Sequence, residues 1–107
     1  MILINVKFTP KAEHVENFRT LVDAFTQATR AEEGCLFFEW FRSTDNPAEY
    51  ILVEGFNDDA AEAHVNSEHF KQATEMFPTI LQKTPEIINT LIEGKTEWDE
   101  MAEFKVD

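Results

Sequence analysis

The sequence predicts an α+β domain of the ferredoxin-like type, β-α-β-β-α-β, with helices on one face of a four-stranded antiparallel sheet. Three observations lead there. Residues 2–8 alternate with a period of two, Ile2, Ile4, Val6 and Phe8 on one face against Leu3, Asn5 and Lys7 on the other. Two aromatic- and aliphatic-rich runs flank the turn signal Asp45-Asn46-Pro47, as in a hairpin. Helical spacing separates the first strand from that hairpin, and the hairpin from a last apolar run at residues 87–92.

Each element follows from its residues. Thr9-Pro10 ends the first strand and opens a helix, since proline is tolerated in a first turn. From Lys11 to about Glu32, Val15, Phe18, Val22, Phe25 and Thr29 recur at three- and four-residue spacing, and Gly34 supplies the helix stop. The second strand, residues 35–42, is aromatic on both faces, which predicts cover on both faces. The strand over residues 49–56 returns beside it. Asn57-Asp58 caps a helix over roughly residues 59–66, and Ser67 caps another from Glu68 to about Met76, before Pro78 and Pro85 interrupt the pattern. Gly94 closes the last strand. Residues 1–94 thus form one domain, and residues 95–107 a tail that keeps Trp98, Met101 and Phe104 among its charges.

Ten Phe and two Trp in 107 residues are more aromatic volume than two layers readily hide. The sheet face without helices is apolar and calls for a partner. Two such sheets packed face to face make a homodimer, a dimeric α/β barrel with a pocket in or between the protomers, and the tail suits packing on the partner subunit. The net charge of −12, from 21 acidic and nine basic residues, disfavours nucleic acid and anionic membrane surfaces. No apolar run is long enough to span a bilayer. The first residues lack the pattern of a signal peptide, and the single Cys35 fits a reducing compartment, so the expected location is cytoplasmic.

Two blocks carry a resemblance. One is Glu33-Gly34-Cys35-Leu36. The other is Glu54-x-Phe56-x-Asp58-x-x-Ala61-x-x-His64-x-x-Ser67-x-His69-Phe70. Together they resemble the antibiotic biosynthesis monooxygenase (ABM) family of small dimeric domains, the quinol-monooxygenase-like branch included. Glutamate replaces the family's proline before Gly34, and Phe56 replaces its tryptophan. The resemblance implies a cofactor-independent monooxygenase that oxidises a small electron-rich aromatic, a quinol or anthrone, with O₂. Haem-degrading members are similar too, but of their pocket asparagine, helix tryptophan and later histidine only the first has a counterpart here, Asn5; His64 and Thr74 stand at the other places. Two other readings stay open: isomerisation of a small phosphorylated signal molecule, disfavoured by the scarcity of cations, and a non-catalytic dimeric ligand-binding or stress-response domain.

The expected catalytic residues are Asn5 and His64. An amide at the centre of an apolar strand must be hydrogen-bonded or face a polar cavity, and the resemblance implies that Asn5 faces the pocket and bonds a substrate oxygen. His64, on the small-residue face of its helix, is either a core-edge histidine or the base at the pocket mouth. Trp40, Tyr50 and Phe56 are expected to wall a planar ring, with His69 beside them. No metal or organic cofactor is expected: His64 and His69 lack the i, i+4 spacing of a helical metal pair, no third ligand is near in sequence, and the three glycines stand isolated.

Overall fold

The computed structural model describes all 107 residues. Its strands are β1 (Ile2–Phe8), β2 (Cys35–Arg42), β3 (Tyr50–Phe56) and β4 (Glu86–Leu91). Its α-helices are α1 (Phe18–Leu21), α2 (Asp23–Arg30), α3 (Ala61–Val65) and α4 (Glu68–Ile80). The strands form one antiparallel sheet in the order β2-β3-β1-β4, the ferredoxin-like arrangement that the sequence predicts.

Register decides which side chains can meet. Ile4 of β1 stands between Glu54 of β3 and Asn89 of β4, and Val6 between Leu52 and Ile87. These residues share the face covered by the helices. The next residue along, Asn5, stands between Val53 and Ile88 on the opposite face. The core lies on the helix side, where Val6, Phe8, Phe18, Val22, Phe38, Leu52 and Phe56 are buried. A core of rings fills it: Phe18 packs on Tyr50 with centroids 4.8 Å apart and edge-on to Trp40 at 5.4 Å.

The predicted helix over residues 11–32 is broken. Residues 12–14 form a short 3₁₀ turn, and α1 and α2 are separated at Val22 (φ −98°, ψ 7°). The Thr26 hydroxyl donates to the Val22 carbonyl at 2.8 Å, a back-bond that bends helices. Pro10 bridges to Leu81 instead of opening the helix. Gly34 is not a left-handed stop either; only Gly94 has positive φ, at 74°. Gly34 is small because a Cβ there would lie 2.2 Å from the Ala60 Cβ. Ser67, by contrast, caps α4 as expected, its Oγ accepting from the Phe70 amide at 3.2 Å.

The expected cover on both faces of β2 is present on one face only. Phe38 is buried by the helices, whereas Phe41 on the other side is 49% exposed, and Phe37 meets Trp98 of the tail with centroids 5.6 Å apart. Ile88, Trp98, Met101 and Phe104 are all exposed. No helix is long and apolar enough to cross a membrane.

Candidate active site

A cavity of about 690 Å³ lies between the helix-side face of the sheet and helices α3 and α4. Its floor is Ile2, Ile4, Val6 and Phe8 of β1, with Leu52 and Glu54 of β3 and Ile87 and Asn89 of β4. Phe25, Phe70 and Phe77 form its aromatic wall, and residues 81–85 its rim. The volume is ordinary for a small-molecule site, as is the mixture of an apolar wall and a few polar groups.

His64 is one of those polar groups. Helix α3 is a single turn and a half, started at Ala60 and ended at Asn66. The Ser67 hydroxyl donates to the His64 carbonyl at 2.6 Å while capping α4, which ties the two helices at this residue. The ring is buried against Phe56, centroid to centroid 4.8 Å. Its Nδ1 lies 2.7 Å from Oε2 of Glu32, and the same oxygen receives Nε2 of His69 at 2.6 Å. Glu32 reaches them from the tight turn after α2, where its amide donates to Thr29 and its carbonyl accepts from Cys35. A carboxylate has no proton to give, so both imidazoles present N–H to it. Nε2 of His64 is the ring nitrogen without a protein partner. His64 is thus held in place by Glu32 on the wall of the cavity.

Glu54 is the second. Strand alternation turns Tyr50, Leu52, Glu54 and Phe56 of β3 inward, so one carboxyl stands among apolar side chains. It is 5% exposed, makes no hydrogen bond or ion pair within the chain, and lines the cavity. Burial, reinforced by the nearby charge of Glu32, pushes its carboxyl up to about 8. The same surroundings make Cys35 an unreactive thiol: burial, then Glu32 and Glu54, push it up to about 11.

Glu32, His64 and His69 are also the donor types of a zinc site, with ligand atoms within 4.8 Å of one another. With metal–ligand bonds of about 2.0–2.2 Å, tetrahedral ligands stand about 3.3 Å apart. A cation would have to part contacts of 2.6 and 2.7 Å that already satisfy these groups. The trio fits a hydrogen-bond relay as it stands. The third donor that the sequence does not show beside the histidines comes from 32 residues before His64.

Of the other residues expected at the site, none lines this cavity. Asn5 is exposed on the opposite face of the sheet, because the alternation of β1 sends Ile4 and Val6 inward and Asn5 outward. Two exposed amides, Gln82 and Asn89, line the cavity's edge. Trp40 donates from Nε1 to the Thr26 hydroxyl at 2.8 Å, and Tyr50 donates to the Val15 carbonyl at 2.6 Å. Both border a separate shallow groove along edge strand β2, with Arg19, Arg30 and Arg42. Phe56 is fully buried behind His64, and His69 completes the Glu32 contact. Glu54 was findable from strand alternation; Glu32, placed by a turn, had no such signal.

Residues 1–76 match the model of the family described as antibiotic biosynthesis monooxygenase. A candidate monooxygenase of Mycobacterium tuberculosis, Rv0793, is 30% identical over 70 residues, covering 64% of this chain and 68% of its own. The solved structure of Rv0793 superposes with a TM-score of 0.77 at 23% identity, over 90% of this chain and 98% of that one. A Deinococcus radiodurans structure bearing the family's name gives 0.79 at 22% identity, over 94% and 100%. PA3566 of Pseudomonas aeruginosa gives 0.72 at 27%, over 83% and 90%.

Proposed function

The chain belongs to the antibiotic biosynthesis monooxygenase family, and from that premise we propose that it oxidises a small electron-rich aromatic, of quinol or anthrone type, directly with O₂. The observation that carries this is His64, oriented by Glu32 and turned to an apolar cavity of about 690 Å³. Such a substrate needs one thing from the protein: loss of a proton to give an anion that itself reduces oxygen. Nε2 of His64 takes that proton, and Glu32 stabilises the imidazolium that forms, through Nδ1. Phe25, Phe70 and Phe77 hold the ring away from bulk water, where the anion would be quenched. For an anthrone-like substrate one CH₂ group and one O₂ become one C=O group and one water. One oxygen atom enters the ring carbon, and the other leaves with the two hydrogens of that carbon.

The cavity's charged groups speak against a phosphorylated substrate. The one ammonium at the rim, Lys83, is already engaged by Glu86 at 2.8 Å, which leaves no free cation for a phosphate. The working unit in this reading is a homodimer joined through the open sheet face, whose exposed Phe41 and Ile88 are otherwise left in water. Asn5 then belongs to that interface and not to the chemistry.

Oxygen uptake measured with a panel of quinols and anthrones, under air and under nitrogen, tests the activity. Uptake above the spontaneous rate is expected, with His64→Ala lowering turnover about 10²–10⁴-fold while circular dichroism stays native. Tight binding without uptake would instead favour a non-catalytic ligand-binding domain. A fully active His64→Ala variant would remove the base from the mechanism.

A further inference from the structure

We infer that Glu54 is a second ligand-holding group of the cavity, a carboxylic acid that keeps its proton in the folded chain and donates it in a hydrogen bond to a carbonyl or hydroxyl oxygen of an uncharged planar ligand. The inference rests on the cavity being the substrate site, and it adds what that site selects.

The geometry comes first. Glu54 projects from the middle of β3 between Ile4 and Phe38 of the neighbouring strands, and neither offers a polar side chain. Glu54 is 5% exposed, its carboxyl has no partner in the chain, and it lines the cavity. An unsatisfied buried polar group is costly, and most such groups in folded proteins have found a partner. Here the missing partner is supplied by whatever fills the cavity.

The surrounding charges decide the form of the group. From the turn after α2 comes Glu32, a like charge; from α3 comes His64, whose Nδ1 is committed to Glu32; from the start of α4 comes His69, committed likewise. Arg30 of α2 donates to the Phe38 carbonyl, and Lys83 at the rim is paired with Glu86. No cation is left to stabilise a Glu54 carboxylate, which agrees with its rise to about 8. A neutral acid donates one hydrogen bond, so it recognises an oxygen acceptor. Once ionised it would repel a ligand carboxylate or phosphate, and the cavity offers such an anion no free cation, since Lys83 is held by Glu86.

Asn89 marks the other flank of Ile4. Two strand spacings, about 9.5 Å, separate its backbone from that of Glu54. A ring system of two or three fused rings spans that distance, with one oxygen at Glu54 near His64 and a second polar edge toward Asn89.

Menadione, an uncharged bicyclic quinone, is the probe, with naphthylmethylamine as its cationic counterpart on the same ring. Calorimetric titration of the full chain should show menadione bound near neutral pH and released as pH passes about 8, Glu54→Gln binding it with no such pH dependence, and Glu54→Leu binding about tenfold more weakly. Infrared difference spectra should show a protonated carboxyl at neutral pH that is missing in Glu54→Gln. Menadione taken up no better by the wild type than by Glu54→Leu, preference for the amine, or no protonated carboxyl would each overturn the assignment. Because none of these readouts needs turnover, an inert protein that passes them refutes the oxygenase chemistry and leaves Glu54 in place.

Discussion

The two faces of the sheet are built from the same alternating strands and have opposite fates. On the helix side, Ile4, Leu52 and Phe38 are roofed by α2, α3 and α4, and the polar groups among them are few and specifically held. On the open side, Val53, Phe41 and Ile88 stand beside Asn5, Lys7 and Glu39, and only Trp98 lies over part of it. A carboxyl on the open side would be one more solvated charge. Glu54, one residue along β3 from Val53, is instead 5% exposed, and burial raises its carboxyl to about 8. The difference lies in the roof.

The largest expected contrast between the faces is in pH dependence. The Glu54 carboxyl rises from 4.5 to about 8 on folding, so the folded chain holds its proton more tightly than the unfolded chain does. Between those two values the native state binds the extra proton, and stability falls as pH rises, levelling off above about 8. At about 1.4 kcal/mol per unit, the loss is on the order of a few kcal/mol. The exposed carboxylates act in another window. Glu16, Asp23 and Glu86 are held below their ordinary values by Arg42, by Gln27 with Arg19, and by Lys83, so they cost stability only at acid pH. Urea unfolding at a series of pH values should show wild-type stability declining across the neutral range and Glu54→Gln nearly flat there. A decline that survives in Glu54→Gln would assign it to some other group.

A smaller effect compares two glycines. A Cβ at Gly34, under the helix layer, would meet the Ala60 Cβ at 2.2 Å, an atom fixed to the backbone. One at Gly55, on the open face, would meet the far edge of the Phe37 ring at 2.5 Å, a side chain that can give way by shifting against the exposed Trp98. Gly34→Ala should therefore cost about 1–3 kcal/mol by overpacking. In Gly55→Ala a small packing cost is offset by about 0.4–1 kcal/mol of lost unfolded-state freedom. Equal melting temperatures for the two variants would mean that the open face is as tightly packed as the roofed one.

Much of this was legible in the residues. The period-two pattern of β1, the turn at residues 45–47 and the Ser67 cap point to the fold, because each depends on local chemistry. The break at Val22 was not legible, since it follows from where the Thr26 hydroxyl finds its acceptor. The site was half legible. His64 stands where the motif suggests, yet what orients it is Glu32, 32 residues away and brought in by a turn. Asn5 differs: the resemblance implies a pocket residue, whereas its alternation with Ile4 and Val6 turns it away from the helix side and from this cavity. On a sheet with one unroofed face, polarity alone does not name the face.

The last test takes the open face itself and should leave the fold of a single chain almost untouched. Ile88 is 74% exposed and Trp98 68% exposed, so neither contributes much to the protomer's own core. Replacing either should change protomer stability by no more than about 0.5 kcal/mol, the range of ordinary surface substitutions. Association is another matter. If two chains meet through this face, Ile88→Glu puts a charge into a desolvated apolar contact, and Trp98→Ala removes a large aromatic of the kind that dominates interfaces, worth about 2 kcal/mol or more, roughly a thirtyfold weaker dimer. Sedimentation equilibrium of the wild type, Ile88→Glu and Trp98→Ala separates the cases. A dimeric wild type, a monomeric Ile88→Glu and a weakened Trp98→Ala place both face and tail at the interface. A Trp98→Ala dimer as tight as wild type would confine the tail to its contact with Phe37 in its own chain. A wild type that sediments as a folded monomer at micromolar concentration would leave the open face unpartnered and end the dimer proposal.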